Sequence, residues 1–146
     1  MKTILVPVDG STFATSAVQE AKKIAGAFGS KIVLLAVARF EAYLSVNPVG
    51  VQVNKQDLVE KEKETAERTL SRAKGMLGVL AENSETVLMY GDAATQILSY
   101  LDDHDVDLVV MGSQGMGATA LKRLFIGSVT YKVLHNAQEP VLVVKQ

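Results

Sequence analysis

The segment VVMGSQGMGATALKRLFIGSVT, residues 109–130, concentrates residue types that can bind an anion. Gly112, Gly115 and Gly117 follow an apolar run, and Gly127 and Ser128 come about ten residues later. Glycine is preferred where the backbone takes a positive φ or where another group approaches closely. Backbone amides in such a turn and at a helix N-terminus can hold phosphate without net positive charge. The segment predicts either a phosphate-binding loop or an ordinary strand-to-helix turn, and spacing alone favours neither.

Two common nucleotide-binding motifs fit this segment poorly. Residues 115–120 match G-x-G-x-x-A, but they follow the fourth predicted strand instead of the first, and the next strand carries no acidic residue. Residues 112–119 nearly match the P-loop pattern, but Ala118 stands where that motif places its phosphate-binding lysine. Neither a dinucleotide-dependent dehydrogenase nor a P-loop hydrolase is therefore predicted.

Asp9 is the second candidate for a binding role. It ends the first predicted strand, in VPVDGS, just before a helix that Ser11 or Thr12 would cap. Asp-Gly-Ser is also common in plain turns. In a doubly wound sheet, however, ligands bind beyond the carboxyl ends of the strands where the winding reverses. If the first and fourth strands are neighbours there, Asp9 would face the glycine segment. Its carboxylate could then accept hydrogen bonds from ribose hydroxyls or hold a metal ion that bridges phosphates.

Elements that must position these residues are visible as short apolar segments separated by helical patterns. Continuous, β-branched segments predict strands at 3–8, 31–37, 86–90, 107–111 and 140–144. Helical patterns predict helices at 14–28, at 57–80, after Gly91 with Asp92 as cap, and after Gly127 with Ser128 as cap. This alternation predicts right-handed βαβ units in a doubly wound α/β fold. We expect one domain over residues 1–146.

Charged segments are interpreted as surface. The run EKEKETAER, residues 60–68, is expected to form the solvent face of the second helix, with Glu64 and Arg68 spaced to pair. Lys122 and Arg123 are likewise expected to be exposed. Residues 38–55 form a connection longer than usual, which is typical of a functional or mobile loop.

Composition narrows the classes of function. The chain has 146 residues, 15 of them basic and 16 acidic, and a net charge of −1, which argues against a nucleic-acid partner. The absence of cysteine excludes disulfides, thiolate metal sites and a cysteine nucleophile. Neither a signal peptide nor an apolar stretch of about 18 residues is present, so we expect a cytoplasmic protein without a membrane partner.

The segments VPVDGS, LLAV, YGDAATQIL, LVVMGSQG, LFIGSVTYKVL and PVLVV, in this order, resemble the universal stress protein family over nearly the whole chain except residues 38–55. The resemblance implies a five-stranded parallel sheet of order 3-2-1-4-5 flanked by four helices, an adenine nucleotide alpha hydrolase-like fold. That order makes the first and fourth strands neighbours. The ATP-binding branch of the family carries the signature G-x2-G-x9-G-[ST].

This signature matches Gly112 and Gly115, and then Gly127 and Ser128, with eleven intervening residues instead of nine. The loop is therefore two residues longer than the signature. The resemblance implies ATP as the ligand, with Mg²⁺ as a candidate ion held through Asp9. The residues it implies as contacts are Pro7, Val8 and Asp9 for ribose and phosphate, Val37 and Met111 for adenine, and Gly112, Gly115, Gly117, Gly127, Ser128, Val129 and Thr130 for phosphates.

Together these features predict an ATP-binding universal stress protein that acts as a nucleotide-dependent stress-response sensor or interaction module. Two alternatives stay open: a slow ATPase, and a dimeric interaction protein that binds no nucleotide. No Walker lysine, general base or arginine finger is recognisable, so at most weak hydrolysis is expected. AMP stays open beside ATP, because the predicted adenine pocket is apolar. A homodimer is expected through the edge strand Val141–Val144, since an exposed edge invites pairing.

Overall fold

A parallel sheet organises the chain in a computed structural model that describes residues 1–39, 55–119 and 125–146. Its strands are β1 (Thr3–Pro7), β2 (Lys31–Ala38), β3 (Ser84–Tyr90), β4 (Leu108–Gly112) and β5 (Val141–Val144), in the order β3-β2-β1-β4-β5. The helices in the described residues are α1 (Thr12–Phe28), α2 (Lys55–Gly75), α3 (Ala93–Asp103) and α4 (Ser128–Asn136). The predicted fold and strand order are confirmed.

Two apolar cores cover the two faces of the sheet. Alternate strand residues point to opposite faces, so Ile4 and Val6 pack with α1 and α2, whereas Leu5 packs with α3 and α4. Burial on both faces explains why the strands are continuous apolar segments instead of alternating ones. β1 pairs with β2 on one side and β4 on the other, so the winding reverses between β1 and β4.

The helix boundaries agree with the sequence signals except at the end of α2 and at the start of α4. Ser11 caps α1, which ends before Gly29 at a φ of 68°, and Asp92 caps α3. α2 ends at Gly75, before the predicted residue 80, and a 3₁₀ turn follows at Gly78–Asn83. Gly78 has a φ of 59°, so the α-helix cannot continue through this residue. The predicted helix was therefore too long at its C-terminus.

Surface predictions were met only in part. The predicted Glu64–Arg68 pair is wrong: among the described residues the ion pairs join Lys23 to Glu20 and Lys31 to Glu85, and Arg68 Nη2 donates to Thr65 Oγ1 at 3.2 Å instead. Residues 40–54, most of the long predicted loop, lie outside the described residues, and so do Lys122 and Arg123. Within the described ranges, no helix combines the length and the apolar character that crossing a membrane requires.

Candidate functional site

A cavity of about 760 Å³ opens at the carboxyl ends of β1, β2 and β4. Its position is the one where a doubly wound sheet binds ligands, because the winding reverses beside β1. The lining of the cavity contains every residue that the sequence analysis predicted for the site: Pro7, Val8, Asp9, Val37, Met111, Gly112, Gly115, Gly117, Gly127, Ser128, Val129 and Thr130.

Asp9 joins the two turns that border this cavity. Its Oδ1 atom accepts a hydrogen bond from the Ser11 amide at 2.9 Å, and its Oδ2 atom accepts one from the Met116 amide at 3.2 Å. A Cβ atom on Gly115 would lie only 2.8 Å from Asp9 Oδ2, so this approach requires glycine. Since a carboxylate oxygen can accept more than one hydrogen bond, the fixed carboxylate can still accept from a ligand.

Gly112 and Thr130 each have a role within the fold that needs no ligand. A Cβ atom on Gly112 would lie 2.7 Å from the backbone of Phe13, so β4 passes α1 too closely for any side chain. The Thr130 hydroxyl donates to the Gly112 carbonyl at 2.8 Å, and Thr130 is only 4% exposed. The hydroxyl hydrogen of Thr130 is therefore already used within the protein, although the residue lines the cavity.

The start of α4 differs from the sequence prediction. Gly127, not Ser128, is the N-cap, and it makes no side-chain capping bond. Its amide donates to the Ser113 carbonyl at 2.7 Å, and its carbonyl accepts from the Tyr131 amide at 2.8 Å. The amides of Ser128, Val129 and Thr130 belong to the first turn, where a helix offers no internal acceptor. The positive end of the helix dipole is at the same place.

Two other helices begin with their first turn satisfied by a side chain. Ser11 Oγ accepts from the Ala14 amide at 3.1 Å at the start of α1. Asp92 Oδ2 accepts from the Thr95 amide at 3.0 Å at the start of α3, and hydrogen bonds from Thr95 hold the pKa of the Asp92 carboxyl below its usual value. α4 has no such side-chain cap, so its first turn can accept an anion from the cavity.

Sequence reasoning missed the wall that α2 contributes. Glu62 and Thr65, from the run that was assigned to the solvent face, line the cavity together with Thr69. They are spaced three and four residues apart, so they share one helix face with buried Ala66. These polar residues follow helical spacing beside the apolar stripe, and that spacing could have predicted the cavity wall. The periodicity of the apolar residues alone gives no sign of it. Arg39, which follows β2, was missed as well.

Metal binding has little support beyond Asp9. The described part of the chain contains no group of three or more His, Asp or Glu side chains that could hold a metal ion. His104, within the acidic segment DDHDVD, stacks on Tyr100 with ring centroids 3.9 Å apart, and its Nδ1 atom is 2.9 Å from the Tyr100 carbonyl. A ligand's own oxygens would therefore have to complete any site at Asp9.

Solved structures share this architecture. UspA, a universal stress protein from Lactobacillus plantarum, superimposes with a TM-score of 0.81 at 29% identity, covering 98% of this chain and 97% of the other. A universal stress protein from Archaeoglobus fulgidus in complex with dAMP has a TM-score of 0.70 at 22% identity and covers 99% and 98%. One from Arabidopsis thaliana with AMP bound has a TM-score of 0.68 at 17% identity and covers 100% and 92%.

Sequence comparison agrees with the fold. A universal stress protein from Thermus aquaticus is 33% identical over 144 residues, which are 99% of this chain and 98% of the relative. The model of the universal stress protein family matches residues 1–145. Nearly the whole chain is thus accounted for by one family, and the chain belongs to the universal stress protein family.

Proposed function

We propose that the cavity binds an adenine nucleotide, with ATP as the main ligand, and that the protein acts as a nucleotide-dependent sensor or interaction module in a stress response. One observation carries the proposal: the uncapped first turn of α4 faces the same cavity as the Asp9 carboxylate. Donors for phosphate and an acceptor for ribose hydroxyls are thereby present in one place. The AMP and dAMP complexes of distant relatives support the same class of ligand.

The lining fits the parts of such a ligand. Val37, Met111 and Ile97 supply apolar surface for adenine, and the first-turn amides of α4 supply donors for phosphate. A volume of about 760 Å³ lies within the usual range of small-molecule sites. Mg²⁺ is commonly held by one or two carboxylates and the phosphates themselves, so Asp9 is the residue that would hold it.

The interaction role is supported by the loop after β4. Met116, Phe125 and Ile126 all line the cavity, and all three are exposed large apolar residues. A bound nucleotide would therefore contact the same loop that presents apolar surface to solvent. A change in this loop on binding is the step through which nucleotide occupancy would reach a partner. We keep the cytoplasm as the proposed location, which cell fractionation would test.

A proline at position 128 tests the contribution of one α4 amide, that of Ser128, without changing the rest of the site. Ser128 is the first residue of α4, a position that tolerates proline, and Gly127 at φ −65° and ψ 159° has a conformation compatible with a following proline. Ser128→Pro removes one amide hydrogen while the helix can still form. Ser128→Ala, the matched control, removes the hydroxyl and keeps the amide. We expect Ser128→Pro to weaken Mg-ATP binding about tenfold to hundredfold, measured by calorimetric titration.

Equal ATP affinity for Ser128→Pro and wild type would contradict the assignment of α4 to the phosphates. The proposal as a whole fails if wild-type protein, freed of co-purified nucleotide by unfolding and refolding, binds no adenine nucleotide. Chromatography of the titrated samples for ADP decides between binding alone and the slow ATPase.

A homodimer through β5 is the second part of the proposal. β5 is an edge strand of the sheet, and Leu142 on it is partly exposed. The Val109 and Ser113 amides donate to the carbonyls of Pro140 and Val144, so alternate residues face β4 and Val143 directs its amide to the free edge. Val143→Pro should therefore yield monomers without loss of a β4–β5 bond. Light scattering that still gives a dimer would place the interface elsewhere.

A further inference from the structure

The cavity wall formed by α2 contains a hydroxyl group that the fold does not use. Thr65 Oγ1 donates to the Lys61 carbonyl at 2.9 Å and accepts from Arg68, so its hydrogen is occupied. Thr69, one turn later on the same face, lines the cavity too. Within residues 1–39, 55–119 and 125–146, its hydroxyl has no hydrogen-bond partner. A polar group in this position is therefore free to bind a ligand.

Thr69 lies directly beside the turn that carries Asp9. A Cβ atom on Gly10, the next residue after Asp9, would be 3.3 Å from Thr69 Oγ1. Gly10 has a φ of 85°, which itself favours glycine, and the missing side chain leaves the Thr69 hydroxyl uncovered. On the other side of Asp9, Gly115 approaches its Oδ2 atom. The hydroxyl and the carboxylate thus border one part of the cavity.

We propose that Thr69 and Asp9 together recognise a sugar hydroxyl, so that the site prefers ribonucleotides to the corresponding deoxyribonucleotides. The inference rests on the proposed nucleotide binding and adds the selection of the sugar. Asp9 can only accept, whereas a threonine hydroxyl can donate as well. A ribose hydroxyl can accept from Thr69 and donate to Asp9 at the same time, in a chain whose hydrogen bonds strengthen one another. A deoxyribose that lacks this hydroxyl loses both bonds.

Calorimetric titration of the full chain with AMP, 2′-deoxy-AMP and 3′-deoxy-AMP tests the proposal. We expect one deoxy analogue to bind wild-type protein about threefold to tenfold more weakly than AMP. Thr69→Val keeps the shape of the side chain and removes its hydroxyl, so it should weaken AMP binding and leave that analogue nearly unchanged. Thr69→Ser should restore the preference for AMP. Thr86→Val, an exposed change on β3 outside the cavity, is the matched control.

The possible outcomes test the selection of the sugar, the role of Thr69 and nucleotide binding separately. Wild-type protein that binds all three nucleotides with equal affinity overturns the selection of the sugar, while nucleotide binding itself stands. A Thr69→Val protein that keeps the full preference for AMP also overturns the role of Thr69. If that variant does not fold, Thr69→Ala removes the same hydroxyl and gives the same comparison. Failure of wild-type protein to bind any of the three nucleotides overturns the proposed function, and the selection of the sugar with it.

Discussion

Two strand-to-helix turns border the cavity, and they differ in whether a side chain caps the helix that follows. Residues 8–11 connect β1 to α1, and residues 113–127 connect the neighbouring strand β4 to α4. The first turn is short and ends at Ser11, whose hydroxyl caps α1. The second is long and ends at Gly127, which has no side chain to cap α4. One helix start is completed within the protein, and the other is left open toward the cavity.

Because only one turn caps its helix, the two turns offer a ligand different hydrogen-bonding groups. The β1–α1 turn presents a carboxylate acceptor, Asp9, whereas the β4–α4 turn presents amide donors. The Met116 amide donates to Asp9, so the two turns are joined by a hydrogen bond. A ligand that has both hydroxyl donors and phosphate acceptors matches this division, and a nucleotide is such a ligand. Side-chain capping of α4 would supply an internal acceptor where the ligand's phosphates are expected.

Gly112→Ala should have the largest effect, because it tests whether close packing holds the second turn against the first helix. The new Cβ atom would lie 2.7 Å from the Phe13 backbone, which cannot move as a flexible side chain could. We expect the free energy of unfolding to fall by about 2 kcal/mol, as overpacking in a core usually costs. Urea unfolding followed by circular dichroism measures it.

Gly26→Ala is the matched control for this change. A Cβ atom on Gly26, within α1, would meet nothing within 4 Å, so alanine should stabilise that helix by about 0.5–1 kcal/mol. Similar stabilities for both variants would show that β4 and α1 are not packed closely at Gly112.

Ser11→Ala tests the capped turn and should have an intermediate effect. The Ala14 amide loses its acceptor, and Ser11 is only 6% exposed, so water does not easily replace the hydroxyl. We expect a loss of about 1 kcal/mol in the free energy of unfolding, measured in the same urea experiment. Ser16→Ala, also on α1 but with its hydroxyl bonded to the Thr12 carbonyl, should lose nothing. Equal losses in both variants would contradict a special role for the cap.

The sequence predicted the fold correctly where the local residue pattern agrees with the burial that the whole sheet imposes. Each strand is apolar on both faces because helices cover both faces, so continuous apolar segments located all five strands. Asp92 and Gly29 are typical cap residues, and both are found at the predicted helix ends. The residues nominated for the site came together for the same reason, since their turns follow neighbouring strands at one edge of the sheet.

The sequence was insufficient where two signals compete or where tertiary placement decides. Leu77 and Leu80 continue the apolar spacing of α2, so the glycines that end this helix were overridden in the prediction. Gly127 and Ser128 are both acceptable caps, and only the backbone shows which one precedes the helix. The polar side of α2 resembles a solvent face, because nothing in its sequence says that Thr69 lies beside Gly10 and lines the same cavity as Asp9.

Gly127→Ser introduces at α4 the cap that α1 already has, and its effect should be the smallest of the three. The new hydroxyl would accept from the Thr130 amide, at the position that corresponds to Ala14 in α1. Gly127→Ala is the matched control, because in both variants a Cβ atom lies 3.0 Å from Gln114 Oε1 and requires the same small shift. Relative to alanine, serine should stabilise the ligand-free protein by about 0.5 kcal/mol, the low end for a helix cap, because the new Cβ atom must first be accommodated. It should also weaken ATP binding about threefold, because the amide then has an internal acceptor. A stability gain without any loss of affinity would mean that the phosphates do not use the Thr130 amide, and that the open start of α4 serves binding through Ser128 and Val129 alone.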